Sequence, residues 1–340
     1  MNSIYIVSSE RSGSNLLRMI LGAHSSVFAP SPPHLYKTFS KYLPFYGNIH
    51  ESENFEHLVE DVMQIAKIRA GWEFEFGKGE LMEKVEENRT LSALIHAAYT
   101  LYTMENKEDL FVSKENDLFN FVHQIDGSTK DPLFIYLYRD GRDVACSENR
   151  YPAKKKHIFL HAEKWRKEQL TSLMAFQDLP EENYVFVSYE NLLERPSIHA
   201  RIICDKAGIE FEEGMLDFHR SKNAKEESQK LALLSNISKP IMKGNSKKYL
   251  NELSRKEVRI FEAKAHDVLK LLGYELEFPE PKKISDLEEF YYRGLNKLTK
   301  YIKKSPEQID QKSRSMYSRI QQVFRRRTEN IDEFEMAKVA

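Results

Sequence analysis

The sequence predicts an α/β fold, a parallel sheet flanked by helices in three layers, with a helical C-terminal extension. Three observations carry this. Four short runs rich in β-branched and aromatic residues, at 4–7, 110–114, 133–138 and 184–188, read as strands, the first and third apolar enough to be buried on both faces. Helix-periodic segments separate them, the alternation a parallel sheet requires. At Phe278-Pro279-Glu280-Pro281 the prolines break the chain, and residues 285–340 are charged and helical. The expected organisation is one domain over 1–277 and an extension over 278–340.

The 340 residues are enough for a sizeable core. With 41% hydrophobic and 30% charged residues, the composition is that of a soluble globular protein. A net charge of −1 gives no general attraction to nucleic acid or to an anionic membrane. Two cysteines, Cys146 and Cys204, suggest neither a disulfide framework nor a metal site, so a reducing compartment is the default. No charged and apolar leader and no apolar run long enough to span a bilayer is visible, which sets the expectation of a cytoplasmic enzyme without a membrane span. There are no internal repeats.

The first element organises the rest. Strand 4–7 runs into Arg11-Ser12-Gly13-Ser14-Asn15, after which Leu16, Leu17, Ile20 and Leu21 repeat at helical spacing. Ser12 or Ser14 is expected to cap that helix and Gly22 to end it. Gly13 lets backbone approach a ligand closely, the first-turn amides attract an anion, and Arg11 adds fixed charge. An ordinary turn with polar caps has the same composition, and the spacing of a Walker A loop is absent. The third strand-like run, 133–138, leads into Arg139-Asp140-Gly141-Arg142-Asp143. Arg139 falls at the strand end, Asp140 or Asp143 can begin a helix, and Ser147 two turns in faces back toward Arg139. An Arg and a hydroxyl converging at a parallel sheet's carboxyl edge make a second anion site.

Together these segments resemble the sulfotransferases that use 3′-phosphoadenosine 5′-phosphosulfate (PAPS). Arg11-Ser12-Gly13-Ser14-Asn15, continued by Leu16, is similar to the family's 5′-phosphosulfate loop, in the variant with Arg found in bacterial and Golgi-type members. Arg139, Asp140-Gly141-Arg142-Asp143 and Ser147 resemble its 3′-phosphate motif, with Gly141 where the family usually has proline. The resemblance covers roughly 1–277. It implies the P-loop-like sulfotransferase fold, PAPS as co-substrate without a metal, and an acceptor bearing a hydroxyl group.

The remaining segments follow in order. The loop 23–35 carries three prolines in four positions and ends on His34-Leu35. Many bacterial members place a polar residue there near the acceptor, so the resemblance makes His34 a general base; otherwise it is a loop histidine capping the next helix. Residues 52–106 are mostly helical, interrupted at 71–79 by Trp72, Phe74 and Phe76, read as a hairpin or a pocket-lining loop whose rings chiefly pack. Strand 110–114 resembles the one that ends in the family's sulfonate-contacting lysine, here Lys114. Cytosolic members have a catalytic histidine two positions on, where this chain has Asn116, so Glu115 and Asp117 are alternative bases. Lys154-Lys155-Lys156 reads as a solvated loop or an anion attractor. The helix 161–176 packs. Tyr189-Glu190-Asn191-Leu192 resembles the segment whose tyrosine meets the adenine edge, and Glu190 braces the next helix. The loop 239–249 is basic and resembles the family's lid, with Lys243, Gly244 and Lys247 as the matching positions. Ser254 and Glu257 form a capping box for a helix running to Leu272. In the extension, Leu287, Phe290, Tyr291, Leu295, Leu298, Tyr301 and Ile302 make one apolar stripe. Tyr317, Ile320 and Val323 begin another, and either packs on the domain or on a second subunit, making a homodimer. Arg325-Arg326-Arg327 reads as a solvated helix end, or else as a dock for an acidic partner.

The implied reaction moves a sulfonate to an acceptor hydroxyl. Arg11, Lys114 and the amides around Gly13 neutralise the leaving phosphate, and His34 takes the acceptor proton. Two rivals remain: a P-loop kinase-like enzyme, for which neither lysine nor carboxylate is correctly placed, and a nucleotide-binding module that has lost its base.

Overall fold

The computed structural model of the chain describes residues 3–151, 155–230, 236–280, 282–302 and 311–328. Lys154 lies outside the described residues, as do the side chains of Leu298, Tyr301 and Ile302.

Strand β1 (Ser3–Val7) leads through the loop 8–13 into α1 (Ser14–Leu21). A two-residue strand, β2 (Val27–Phe28), precedes α2 (Leu35–Tyr42), α3 (Ser52–Ala70), α4 (Lys78–Lys84) and α5 (Leu91–Glu105). Then come β3 (Leu110–Ser113), α6 (Val122–Asp126), β4 (Leu133–Tyr138), α7 (Gly141–Asn149) and α8 (Ile158–Ala175). Strand β5 (Tyr184–Ser188) is followed by α9 (Tyr189–Glu194), α10 (Pro196–Ala207), α11 (Lys222–Lys230), α12 (Tyr249–Glu252) and α13 (Arg255–Leu271). The extension holds α14 (Asp286–Ile302) and α15 (Gln311–Thr328). The sequence reading had no β2, because two residues are too short to show a period.

All strand pairs are parallel, in the order β2-β3-β1-β4-β5, with Ile4 of β1 opposite Val112 on one side and Leu133 on the other. The chain first builds outward from β1 to one side and then to the other. The crevice at the carboxyl end of β1, between β3 and β4, is thus the switch point where α/β sheets hold ligands. Side chains alternate across the sheet. Tyr5 and Val7 enter a core with Phe39, Val62 and Tyr99, while Ile4 and Ile6 enter another with Leu17, Ile20 and Ile203. Burial on both faces is why these strands read as unbroken apolar runs.

A third core joins α7, α8 and α13 around Trp165 and Phe261. It explains Gly141: a Cβ there would lie 2.4 Å from the Trp165 ring and 2.6 Å from Phe261, so no larger residue fits. Trp165 also donates its Nε1–H to the Arg139 carbonyl oxygen at 3.1 Å, bracing the end of β4.

Three expectations need correction. The 71–79 segment forms no hairpin; Trp72 and Phe76 are buried, and Trp72 Nε1 donates to the Ser31 carbonyl at 2.9 Å. On α14, Leu287, Phe290 and Tyr291 are exposed. The helix is rolled by one position, because His157 and Phe159 offer ring partners to Tyr292, which stacks on His157 with centroids 4.7 Å apart. On α15, Ile320, Val323 and Phe324 bury against the domain, with Phe324 stacked on Tyr42 at 3.7 Å, and Arg327 pairs with Asp61 at 2.9 Å instead of ending in solvent. Tyr317 stays exposed. Among the described residues, no helix is long and apolar enough to cross a membrane. Cys146 and Cys204 are buried and unpaired.

Candidate active site

The loop 8–13, the end of β3 and the start of α7 meet at the carboxyl edge of the sheet. Neither Ser12 nor Ser14 caps α1. Gly13 takes the N-cap position at φ +94°, and no side chain accepts from the first-turn amides. A Cβ at Gly13 would lie 2.3 Å from the Tyr189 ring, so glycine is required both by conformation and by space. Arg11 also has positive φ, 71°. Ser12 is buried and shares a 2.8 Å hydrogen bond with Ser9. The result is a turn of inward amides, the kind of concavity that binds phosphate oxygens.

The second anion site closes on the first. Arg11 Nε donates to Ser147 Oγ at 3.0 Å, joining the two motifs across 136 residues. Asp140 caps α7 by accepting from the Arg142 amide. Arg139 is buried; its Nη1 donates to the Arg11 carbonyl at 3.2 Å, and its Nη2 to Asp143 at 3.3 Å and to the Asn245 carbonyl at 3.2 Å. Its Nε is enclosed without a partner. The guanidinium lies 4.3 Å from the Tyr189 ring centroid, and Asn245 Nδ2 donates to the Tyr189 hydroxyl at 2.7 Å. A buried cation with an unsatisfied donor, beside a ring and a tight amide turn, fits a phosphorylated adenosine.

On the other flank, Lys114 Nζ donates to Asn116 Oδ1 at 3.0 Å, and Asn116 Nδ2 donates to Glu10 at 3.2 Å. The Asn116 amide donates to His34 Nδ1 at 3.3 Å. Asn116, where a histidine was looked for, is therefore a hub that holds Lys114, Glu10 and His34. The half-buried His34 has left-handed backbone (φ 54°), and burial, then the charges of Lys114 and Arg69, hold its pKa well below the usual imidazole value. Glu115 accepts from the Tyr99 hydroxyl at 2.9 Å and the His34 amide at 3.1 Å; burial raises its pKa to about 7, and its Oε2 is enclosed without a partner. Asp117 pairs with Lys37 at 3.0 Å.

These groups surround one cavity of about 1280 Å³. Arg11, Gly13, Ser14, Asn15, Leu16, His34, Lys114, Arg139, Ser147 and Tyr189 line it; Ser12, Glu115 and Asp117 do not. The lid loop lies over it, but Lys243, Gly244 and Lys247 are exposed. Gly244 and Lys247 turn the backbone through positive φ, so that Lys239, Asn245 and Lys248 reach the cavity instead. Nine Lys and Arg line the walls against three carboxylates, Glu10, Asp143 and Glu227, in a chain of net charge −1.

A family model described as the sulfotransferase family matches residues 3–213, a span that contains every motif above except the lid. The chain belongs to the sulfotransferase family. It is a transferase. Two solved structures share the fold. The sulfotransferase domain from the curacin biosynthetic pathway is 20% identical, with a TM-score of 0.55 over 81% of this chain and 98% of that one. The sulfotransferase domain from the Synechococcus PCC 7002 olefin synthase is 21% identical, with a TM-score of 0.55 over 81% and 96%. No curated protein matches.

Several residues of this sulfotransferase's site escaped the sequence reading. Arg18, fully buried on α1, forms an ion pair with Glu227 of α11, and Ser31 also donates to Glu227, at 2.6 Å. A charge at an apolar position of the helix was the available signal. Arg69 and the α15 face gave none, because their approach is made between segments some 250 positions apart in the chain.

Proposed function

We propose that Arg11, Lys114, Arg139 and Ser147 hold the donor and that His34 serves the acceptor, a hydroxyl compound. The observation that carries this is the Arg11–Ser147 contact beside the partnerless Arg139 Nε, which joins both anion motifs in one cavity. Bound PAPS supplies an activated sulfonate on a phosphate leaving group. In the transfer the acceptor oxygen bonds to sulfur, the bond from sulfur to the bridging phosphate oxygen breaks, and the hydroxyl proton passes to His34. Arg11 and Lys114 offset the charge that grows on the departing phosphate, an interaction strongest in the transition state. The cavity, about 1280 Å³, exceeds the roughly 300–1,000 Å³ of a site for one small molecule, which supports donor and acceptor sharing it.

The choice of His34 over Glu115 and Asp117 is supported by its position on the cavity wall and by its low pKa, which keeps the ring neutral near pH 7. With Nδ1 accepting from Asn116, the neutral ring carries its hydrogen on Nε2. To take a proton at Nε2 the ring must first shift that hydrogen to Nδ1, giving up a long, weak contact worth about 0.5–1.5 kcal/mol. Incubation with labelled PAPS and a lysate, followed by mass spectrometry, should yield a sulfated hydroxyl compound. His34→Ala should then lower its formation by roughly 10²–10⁴ with product-nucleotide affinity unchanged. A binding module without activity is the result if no sulfated product forms. Cytoplasmic residence and a homodimer, through the exposed Leu287, Phe290 and Tyr291, complete the reading; light scattering of Phe290→Ser against wild type tests the dimer.

A further inference from the structure

One wall of the cavity is formed by the last turn of α3 and by α15, which pack on each other. Arg69 is there, between Ile68 and Ala70. Its Nε is shut off from solvent without a hydrogen-bond partner, and no carboxylate among the described residues forms an ion pair with it. Other interior arginines are matched: Arg18 by Glu227, Arg142 by Asp140 and Glu262, Arg327 by Asp61. Arg139 pairs with Asp143, and it and Arg11 meet the donor in the reading above. Arg69 belongs to the acceptor end, since its charge acts on His34 and Glu115, and desolvation pulls its own pKa down. From α15, Arg319 lines the same wall beside Met316 and Tyr317.

Arg69 is half-buried on the cavity wall with no carboxylate paired to it, so an oxyanion in the cavity would gain a charge-assisted contact from the rest of its guanidinium without displacing another partner. The donor's phosphates are accounted for by other residues in the reading above. We propose that Arg69, assisted by Arg319, binds an oxyanion carried by the acceptor itself, so that the substrate is a hydroxylated acid whose apolar part rests on Ile68, Met316 and Tyr317. The inference rests on the sulfotransfer reading above. It also gives the extension a task, because α15 lies beyond the span that the family model covers.

The test uses the full chain saturated with adenosine 3′,5′-bisphosphate, whose own titration is recorded first. Calorimetry then compares 4-hydroxybenzoate with its methyl ester, and 3-hydroxydecanoate with its methyl ester. At least one acid should bind about ten- to a hundredfold tighter than its ester, the span of a charge-assisted hydrogen bond. In the Arg69→Gln, Arg319→Gln double variant that preference should fall to about twofold or less, Arg69→Lys should keep part of it, and affinity for the bisphosphate should not change. Acids that bind no tighter than their esters, or not at all, would overturn the proposal, as would a preference that survives in the double variant. Failure to bind the bisphosphate in the first titration would instead refute the donor reading, and this inference with it.

Discussion

At the scale of single residues, two titrating groups sit back to back around Asn116 and respond to pH differently. Glu115 has its pKa raised to about 7 from the usual 4.5, chiefly by burial. Below 4.5 the carboxyl is protonated in both folded and unfolded chains, and it costs nothing. Above 7 it is ionised in both, and the folded state bears the full cost of a buried charge. Glu115→Gln should therefore unfold at a higher temperature than wild type at pH 8, with the gap closing toward pH 4.5; a gap independent of pH would contradict the assigned cause. His34 has its pKa lowered, so the ring stays neutral until the pH falls well below 6.5. The acid limb of the rate profile should lie below that value and disappear in His34→Ala. If the limb instead centres near 7 and disappears in Glu115→Gln, the proton goes to Glu115.

At the scale of elements, what the sequence revealed depended on how local the cause was. The loop 8–13 and the turn at 139–143 were legible because a glycine, hydroxyls and an arginine beside a strand have a local reason to be there. The roll of α14 was not legible, because the choice between Tyr291 and Tyr292 as the buried ring is made by His157 and Phe159, far away in the chain. The lid was found as a loop, but not the register that exposes Lys243, Gly244 and Lys247 and brings Asn245 and Lys248 to the cavity; the backbone turns there through positive φ at Gly244 and Lys247. Helix α15 shows the same limit: its apolar stripe was visible, its partner was not. Phe324, 2% exposed and stacked on Tyr42, holds it to the domain. Phe324→Ala should cost about 3–5 kcal/mol of local stability, more than a peripheral helix can spare. Hydrogen exchange should then speed up across 311–328 while the amides of β1 and β4 stay protected. Unchanged exchange in α15 would mean that other contacts hold it.

At the scale of the molecule, the sheet order gathers charge that the composition conceals. A chain of net charge −1 lines one cavity with nine cations and three carboxylates, because the ends of β1, β3 and β4 and the lid all open onto the switch point. Overall composition carried no trace of this, and the two anion motifs supplied only Arg11 and Arg139 of the nine; the others come from α3, the end of β3, the end of α7, the lid and α15. The central claim is that these motifs act as one nucleotide site, with Arg139 at its centre. Calorimetry of adenosine 3′,5′-bisphosphate binding to wild type and Arg139→Ala tests it most directly. Losing a charge-assisted contact of about 1.5–3 kcal/mol should weaken binding roughly ten- to a hundredfold. Undiminished affinity in Arg139→Ala would contradict the account.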